Sequence, residues 1–265
     1  MQLSVITDEI DPSLGRALDV CTELGIRAVE LRTVDGVPIV AFDSAALREM
    51  RADLDARGVH VCAIASPFLK CDRGDDAAEQ ELAHERALEA AAILSAPVVR
   101  AFAYWREPDP RAVLGELGPV LRRAAERARD AGVTLALENE HECNVATAEE
   151  ARAALAAADS PSLRLIWDPG NAAMLDPPSF RGLGGLEMVD DRVAHVHLKD
   201  VSASGEWTRV GDGIVDFVAL LRHLDGKGYD GYLSFETHYQ REGSGELATR
   251  DCVAALRSLA AGLVA

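Results

Sequence analysis

The sequence lacks long hydrophobic runs. No stretch approaches the about 18 uninterrupted apolar residues of a membrane-spanning helix, and no basic segment precedes an apolar one at the amino terminus. Residues 1–6 already have the pattern of a strand. The sequence therefore predicts neither a membrane span nor a signal peptide, and we expect a cytoplasmic protein with no membrane partner.

Cysteine is scarce and unevenly spaced. The chain has five cysteines, an odd number, and no two of them have C-x-x-C spacing. A disulfide framework uses an even set of cysteines at regular spacings, so this pattern indicates free thiols in a reducing compartment. That compartment agrees with a cytoplasmic location.

Basic residues are few relative to acidic ones. The chain has 27 lysines and arginines against 44 aspartates and glutamates, which gives a formal net charge of −17. A surface of this sign repels phosphate backbones and anionic lipid headgroups. The charge therefore argues against a nucleic-acid partner.

Glycine-rich phosphate-binding motifs are also absent. Neither G-x-G-x-x-G nor a P-loop follows the first predicted strand, which removes the main evidence for an open, doubly wound sheet. No linker or low-complexity tail divides the 265 residues. Because one (β/α)8 barrel typically takes roughly 250 residues, we predict a single domain over residues 1–265.

The chain contains an alternation of short β-type runs with longer helical patterns. We predict eight strands, at residues 3–6, 28–31, 59–65, 98–102, 133–137, 163–167, 193–198 and 231–235. The helical patterns lie at residues 12–24, 44–57, 75–94, 109–131, 146–158, 183–189, 215–224 and 244–260. Such alternation implies parallel strands with right-handed crossovers, so the predicted fold is α/β, a closed (β/α)8 TIM barrel.

Four potential metal ligands lie at the ends of four consecutive predicted strands. They are Glu138 on the fifth strand, Asp168 on the sixth, His197 on the seventh and Glu236 on the eighth. Parallel strands of a barrel direct these ends to one rim, where such barrels carry their chemistry. Each residue alone has an ordinary explanation as a loop or turn residue, but the four together predict one metal site.

The seventh strand is the most informative single segment. Side chains alternate along a strand, so His195, His197 and Lys199 share one face, and the apolar Val196 and Leu198 share the other. We expect the polar face to point into the barrel. Two histidines and a lysine there cost too much desolvation to serve packing alone. His197, nearer the carboxyl end, is the predicted ligand, and His195 has a supporting or structural role.

The donor types indicate the class of ion. Three carboxylates and one imidazole suit Mn²⁺, Mg²⁺ or Co²⁺. They suit Zn²⁺ less well, because zinc sites favour more nitrogen or sulfur ligands. We therefore predict one divalent cation as the cofactor.

These motifs resemble those of the xylose isomerase-like TIM barrels, which include sugar and sugar-phosphate isomerases and epimerases. The resemblance covers the whole chain, and its specific part consists of Glu138-Asn139, Asp168-Pro-Gly-Asn171, the segment 195–200, Gly211-Asp-Gly213 with Asp216-Phe217, and Glu236-Thr-His238. It implies that Glu138, Asp168, His197 and Glu236 bind one divalent cation, and that both glutamates are also catalytic bases. Ketose 3-epimerases of the family have a histidine where this chain has Asn171.

Such a site is suited to proton abstraction next to a carbonyl, with the resulting ene-diolate stabilised by the metal. The first hypothesis is a sugar or sugar-phosphate isomerase or epimerase. The second is a lyase on the same scaffold, a dehydratase of a keto-inositol or related keto-sugar. A non-catalytic sugar-binding barrel is disfavoured by the intact glutamate pair, and a DNA-repair endonuclease by the charge and the few histidines.

Further polar and aromatic residues follow the predicted strands and are candidates for contacts to a carbohydrate substrate. The principal ones are Tyr104, Trp105, Asn171, Lys199, Arg209 and His238. Glu30, Arg32, Ser66 and Lys70 follow the second and third strands and extend this set. The resemblance also implies that the chain can form a homo-oligomer.

Overall fold

Eight parallel strands form one closed barrel in the computed structural model, which describes residues 1–261. Each strand pairs with its neighbours in the chain, and the first pairs with the last. The strands, β1 to β8, are Gln2–Ile6, Ala28–Leu31, His60–Ile64, Val98–Ala101, Thr134–Glu138, Leu163–Trp167, Val193–Leu198 and Tyr232–Phe235. The predicted (β/α)8 barrel is confirmed; residues 262–265 of the predicted domain lie outside the described range.

A principal helix follows each barrel strand, and a short helical turn, Thr7–Ile10, precedes the first of them. The helices, α1 to α8, are Leu14–Glu23, Ser44–Arg57, Ala77–Leu94, Leu114–Asp130, Ala148–Ala158, Pro169–Leu175, Phe217–Gly226 and Gly245–Leu259. Gly58 ends α2 with φ 65°, a conformation that favours glycine over residues with a Cβ. Among the helices of residues 1–261, none is long and apolar enough to cross a membrane.

Two segments differ from the sequence-based expectation. The predicted helix at 183–189 is replaced by the 3₁₀ turns Leu186–Met188 and Asp190–Arg192, because Gly184 and Gly185 adopt positive φ and interrupt it. The Asp168-Pro-Gly segment, whose composition is also typical of a turn, begins α6. The Asp168 carboxylate accepts a bond from the Asn171 amide at 2.9 Å, which caps this helix.

Two short hairpins lie outside the barrel ladder. One pairs Thr33–Val34 with Val37–Pro38, and the other pairs Asp200–Val201 with Trp207–Thr208. Both follow the carboxyl ends of barrel strands, β2 and β7. The second hairpin therefore carries Trp207 back towards the rim where the predicted ligands lie.

The barrel interior is layered. Ala63, Val98, Ala136 and Ile166 form a small apolar cluster from β3 to β6, separate from the main core between the barrel and its helices. Two residues further along each strand the same inward face is reached again. Glu138 therefore lies above Ala136 at the carboxyl end, so the apolar layer supports a polar one.

Candidate functional site

The four predicted ligands meet at the carboxyl end of the barrel. Glu138, Asp168, His197 and Glu236 each offer a ligand atom, and these atoms all lie within 4.8 Å of one another. All four side chains are buried. Their strands are adjacent in the barrel wall, so the convergence follows from the closed parallel sheet. We refer to these four residues as the quartet.

The quartet fits a divalent cation. Three buried carboxylates repel one another: burial raises the pKa of Asp168, Lys199 opposes this shift, and Glu236 and Glu138 add to it. Within residues 1–261 Asp168 Oδ2 accepts no hydrogen bond, although Lys199 Nζ lies 3.1 Å away. A cation among these oxygens would relieve the repulsion. The donor set and the geometry can therefore hold one ion.

The two ring nitrogens of His197 face different carboxylates. Nδ1 lies 2.9 Å from Glu138 Oε1 and 3.3 Å from Glu236 Oε2. Nε2 lies 3.1 Å from Glu30 Oε2, below the quartet. Burial alone would lower the pKa of His197, but Glu30 and Glu138 raise it well above its ordinary value. Nδ1 is the nitrogen that faces the quartet.

Three cationic side chains surround the quartet. Lys199 Nζ lies 2.9 Å from Glu236, and Arg32 donates to the other oxygen of Glu236 at 2.9 Å. Arg100 donates to Glu138 at 3.1 Å. Burial alone would raise the pKa of Glu236, but Lys199 and the bond from His197 hold it well below its usual range. Glu236 is therefore an ionised carboxylate at neutral pH.

Arg32 also connects the first and last strands of the barrel. It donates to Asp8 at 2.9 Å and to Glu9 at 2.6 Å. Glu9 in turn accepts the backbone amide of His238 at 3.0 Å. Burial alone would raise the pKa of Glu9, but the bond from the His238 imidazole, 3.2 Å away, and the charge of Arg32 lower it to about 2. This network fixes the loop after β8 and places His238 at the rim.

Aromatic rings form one wall of the barrel mouth. The ring centroid of Trp207 lies 5.6 Å from that of His141 and 5.5 Å from that of His238. Lys199 Nζ lies 5.1 Å from the Trp207 centroid. Asn171 links this wall to the quartet, because its Oδ1 accepts from His141 at 3.0 Å and its Nδ2 lies 3.5 Å from Glu138.

A cavity of about 270 Å³ opens beside the quartet. Its lining includes Arg32, Lys70, Arg100, Glu236 and His238. A larger cavity of about 350 Å³ lies between α3 and α4, but none of the quartet lines it. Convergent charged groups mark a catalytic site better than volume does, so the smaller cavity is the candidate substrate site.

The structure does not bring every predicted substrate contact to the quartet. Tyr104 has φ 55° and lines the cavity between α3 and α4. Arg209 is held by two bonds of 2.8 Å to Asp212 and lines a surface cleft beside α8. Trp105 is exposed, with its ring centroid 5.5 Å from Lys70 Nζ. Lys199, Asn171 and His238 do lie beside the quartet.

Sequence reasoning missed two residues at this site. Arg100 lies inside the apolar fourth strand, and a charge at that position could have been recognised by the alternation that identified Lys199. Trp207 lies at the mouth because the hairpin after β7 carries it there. No apolar run in the sequence predicts this hairpin. Glu30 is fully buried below the quartet, although its position in sequence suggested the rim.

Comparison with known proteins identifies the family. The family model for the xylose isomerase-like TIM barrel matches residues 18–259. The chain belongs to this family. The inosose dehydratase of Lacticaseibacillus casei is 25% identical over an alignment of 136 residues, with 44% of this chain and 44% of that protein covered. The chain thus spans about half the length, or less, of the curated relatives it matches.

Solved structures with the same fold cover almost the entire chain. The IOLI protein, crystallised with a zinc atom, has a TM-score of 0.78 at 20% identity, with 98% of each chain covered. A D-tagatose 3-epimerase-like protein has a TM-score of 0.76 at 20% identity and the same coverage. At this level of identity the similarity establishes the fold alone.

Proposed function

We propose that this protein is a divalent-metal-dependent isomerase or epimerase of a keto sugar or its phosphate, which removes a proton from the carbon next to a carbonyl. The observation that carries this proposal is the presence of two buried glutamates, Glu138 and Glu236, three strands apart around one cation site. Two carboxylates near one substrate can remove a proton and return it to the other face or to the adjacent carbon.

Glu236 is the first proton acceptor in this proposal. Its oxygens are held by Lys199 and Arg32, so the carboxylate is ionised and fixed in orientation. Glu138 is held by Arg100 and His197 and exchanges a proton at the other side. A divalent ion held by the quartet would supply Lewis acidity at the carbonyl; Mn²⁺, Mg²⁺ and Co²⁺ suit the oxygen-rich donors better than Zn²⁺.

Lys199 has an electrostatic role. Burial alone would lower the pKa of this ammonium, but Asp168 and Glu236 raise it above its ordinary value. The group is therefore a cation beside Asp168 and Glu236. A fixed cation here stabilises negative charge that develops on a substrate oxygen when the proton leaves.

The mouth of the barrel suits a hydroxyl-rich substrate. His141, His238 and Asn171 offer hydrogen-bonding groups, and Trp207 offers an apolar ring face beside them. Sugars combine these two surfaces, with hydroxyls around an apolar ring. A cytoplasmic location and assembly into a homo-oligomer stay predictions.

The second candidate is a dehydratase of a keto-inositol or related keto-sugar. The curated relatives that match are inosose dehydratases, and this similarity favours the dehydratase reaction. The similarity covers about half of their length or less. As in the first candidate, a carboxylate would accept the proton from the carbon next to the carbonyl. The hydroxyl on the next carbon would then depart with a proton as water, leaving a carbon–carbon double bond.

One experiment distinguishes the two reactions. Purified protein with added Mn²⁺ is screened in D2O against ketoses, their phosphates and inosose. Solvent deuterium next to the carbonyl of a recovered or isomerised sugar supports the first candidate, and an ultraviolet-absorbing dehydrated product supports the second. Full activity after treatment with a chelator would contradict the metal dependence of both.

A further inference from the structure

The barrel interior below the quartet is polar on one side. Under β3 to β6 the filling is apolar, whereas Ser4 of β1, Glu30 of β2, His195 of β7 and Ser234 of β8 are fully buried on the other side. A carboxylate such as Glu30 is costly to bury unless its charge is matched by hydrogen bonds. The hydrogen bonds of Glu30 therefore show which groups compensate its buried charge.

Glu30 holds two imidazoles with one oxygen. Its Oε2 accepts from His195 Nε2 at 3.0 Å and from His197 Nε2 at 3.1 Å. Because a carboxylate can only accept, both histidines carry a hydrogen on Nε2. The opposite nitrogen of His197, Nδ1, faces Glu138 at 2.9 Å and is the nitrogen that can give up its hydrogen and offer a lone pair when the quartet binds an ion. The ring of His197 thus connects Glu30 to the metal site.

The backbone around Glu30 is irregular at this position. Val29 pairs with Val61, but Glu30 pairs with Ala63, so Cys62 is an extra residue in the ladder between β2 and β3. The Cys62 thiol donates to the Val29 carbonyl at 3.2 Å. Bulges of this kind redirect a side chain and occur beside active sites. Here the bulge lies in β3, directly beside Glu30.

We propose that Glu30 is a positioning residue of the metal centre: it holds the Nε2–H of His197 and thereby presents Nδ1 to the cation. This inference rests on the proposed function to the extent that the quartet binds an ion. His195 donates to the same oxygen and restrains Glu30 from turning away. Such carboxylate–histidine–metal arrangements fix the tautomer and ring orientation and make the ligand nitrogen more basic.

The first test measures ion affinity in the absence of substrate. Co²⁺ binding is followed by its visible absorption in the wild-type protein and in Glu30→Gln, which keeps the shape but loses the charge. We expect the Kd for Co²⁺ to rise about 10- to 100-fold, as for other outer partners of metal-bound histidines. An unchanged Kd in a variant with wild-type circular dichroism would overturn the proposal.

Ser234→Ala is the matched control. Ser234 is equally buried, pairs in register with His197, and has an Oγ that makes no hydrogen bond within residues 1–261. This variant disturbs the packing beside His197 but leaves its bond to Glu30 in place. We expect its Kd for Co²⁺ to stay within about twofold of wild type; a loss equal to that of Glu30→Gln would contradict a specific role for Glu30.

A second measurement needs no variant. In wild-type protein loaded with Zn²⁺, ¹⁵N spectra of the histidine side chains should show His197 protonated at Nε2 and metal-bound at Nδ1. The opposite assignment, or a wild-type protein that binds neither ion, would overturn the inference. If Glu30-dependent binding is found but no sugar is turned over, the proposed function fails and this inference stands.

Discussion

At the scale of single residues, three carboxylates and two cations are buried together in the barrel mouth. Glu138, Asp168 and Glu236 supply the negative charge, and nearby Lys199 and Arg100 are equally inaccessible to water. Removing one member of a buried ion pair leaves the other charge uncompensated, which costs several kcal/mol. Substitutions that keep hydrogen-bonding capacity therefore separate chemistry from folding better than alanine does.

Glu236→Gln tests the proposed base. Glutamine keeps the size and one carbonyl oxygen for Arg32 or Lys199, so we expect the fold to be retained. We expect kcat to fall at least about 10³-fold, because general base catalysis contributes about 10²- to 10⁴-fold and the quartet also loses a charged ligand. Circular dichroism checks the fold, and initial rates on the substrate found in the D2O screen check kcat.

The control for this substitution is Glu242→Gln in the same loop. Glu242 is exposed and pairs only loosely with Arg241, at 3.8 Å. We expect wild-type rates from it. If Glu236→Gln itself worked at a rate near wild type, Glu236 would lose its assignment as the base.

Trp207→Ala tests the aromatic wall of the mouth. The indole lies over Lys199 and between two imidazoles, so a sugar that enters would contact its face. Losing partial burial of one aromatic ring, about 1.4 kcal/mol, should raise KM about tenfold with a smaller change in kcat. Steady-state kinetics measure this; Trp207→Phe should be intermediate, and an unchanged KM would place the substrate elsewhere.

At the scale of elements, helix packing depends on close approaches that only glycine allows. A Cβ on Gly118 of α4 would lie 2.5 Å from the carbonyl oxygen of Ala157 in α5. At Gly115, one turn earlier in α4, a Cβ would have no neighbour within 4 Å among the described residues. The two glycines therefore have different roles in one helix.

Gly118→Ala and Gly115→Ala form a matched pair of tests. Alanine favours a helix over glycine by up to about 1 kcal/mol, so Gly115→Ala should be neutral or stabilising. Gly118→Ala should be destabilising by about 1 to 3 kcal/mol, because α5 must move away from α4. Urea unfolding measures both, and equal midpoints would contradict the close packing of these helices.

The ligand candidates at the strand ends were predictable because they follow from two rules, the apolar pattern of a strand and the common direction of parallel strands. Glu138, Asp168 and Glu236 each follow an apolar run, and parallel topology brings such ends together. The alternation of β7 correctly placed His195, His197 and Lys199 in the interior. Local pattern was sufficient because the partner strands are all neighbours in the chain.

Other features depend on contacts that the chain pattern does not encode. The Asp168-Pro-Gly segment has the composition of a turn, but the Asp168 carboxylate caps a helix there. Arg209 follows a hairpin strand and is held by Asp212 three residues later. Its position in the sequence therefore did not show that its side chain points away from the quartet. The bulge at Cys62 beside Glu30 depends on the register between two strands, which a single run does not reveal.

At the scale of the whole molecule, chemistry and stability lie at opposite ends of the barrel. The quartet occupies the carboxyl ends of the strands. At the amino end, Asp190 before β7 lies 2.9 Å from both Lys227 and His223 of the α7 region. Because barrel folds reserve the amino end for stability, these contacts should be separable from activity.

Asp190→Asn tests this separation through its pH dependence. The Lys227 ammonium, with His223 adding to its effect, holds the pKa of Asp190 below its ordinary value of 3.8. A lowered folded-state pKa means that the stabilisation is fully present above pH 3.8 and is lost as the pH falls through the folded-state pKa. We therefore expect Asp190→Asn to cost about 1 kcal/mol at pH 7 and progressively less in acid.

Urea midpoints for wild type and Asp190→Asn at a series of pH values measure this convergence. Asp225→Asn, an exposed aspartate of the same helix α7, is the control and should track the wild type throughout. The kcat and KM of Asp190→Asn at pH 7 should both stay within about twofold of wild type, since the substitution lies at the end of the barrel away from the quartet. A large loss of turnover together with the loss of stability would show that the two ends of the barrel are coupled.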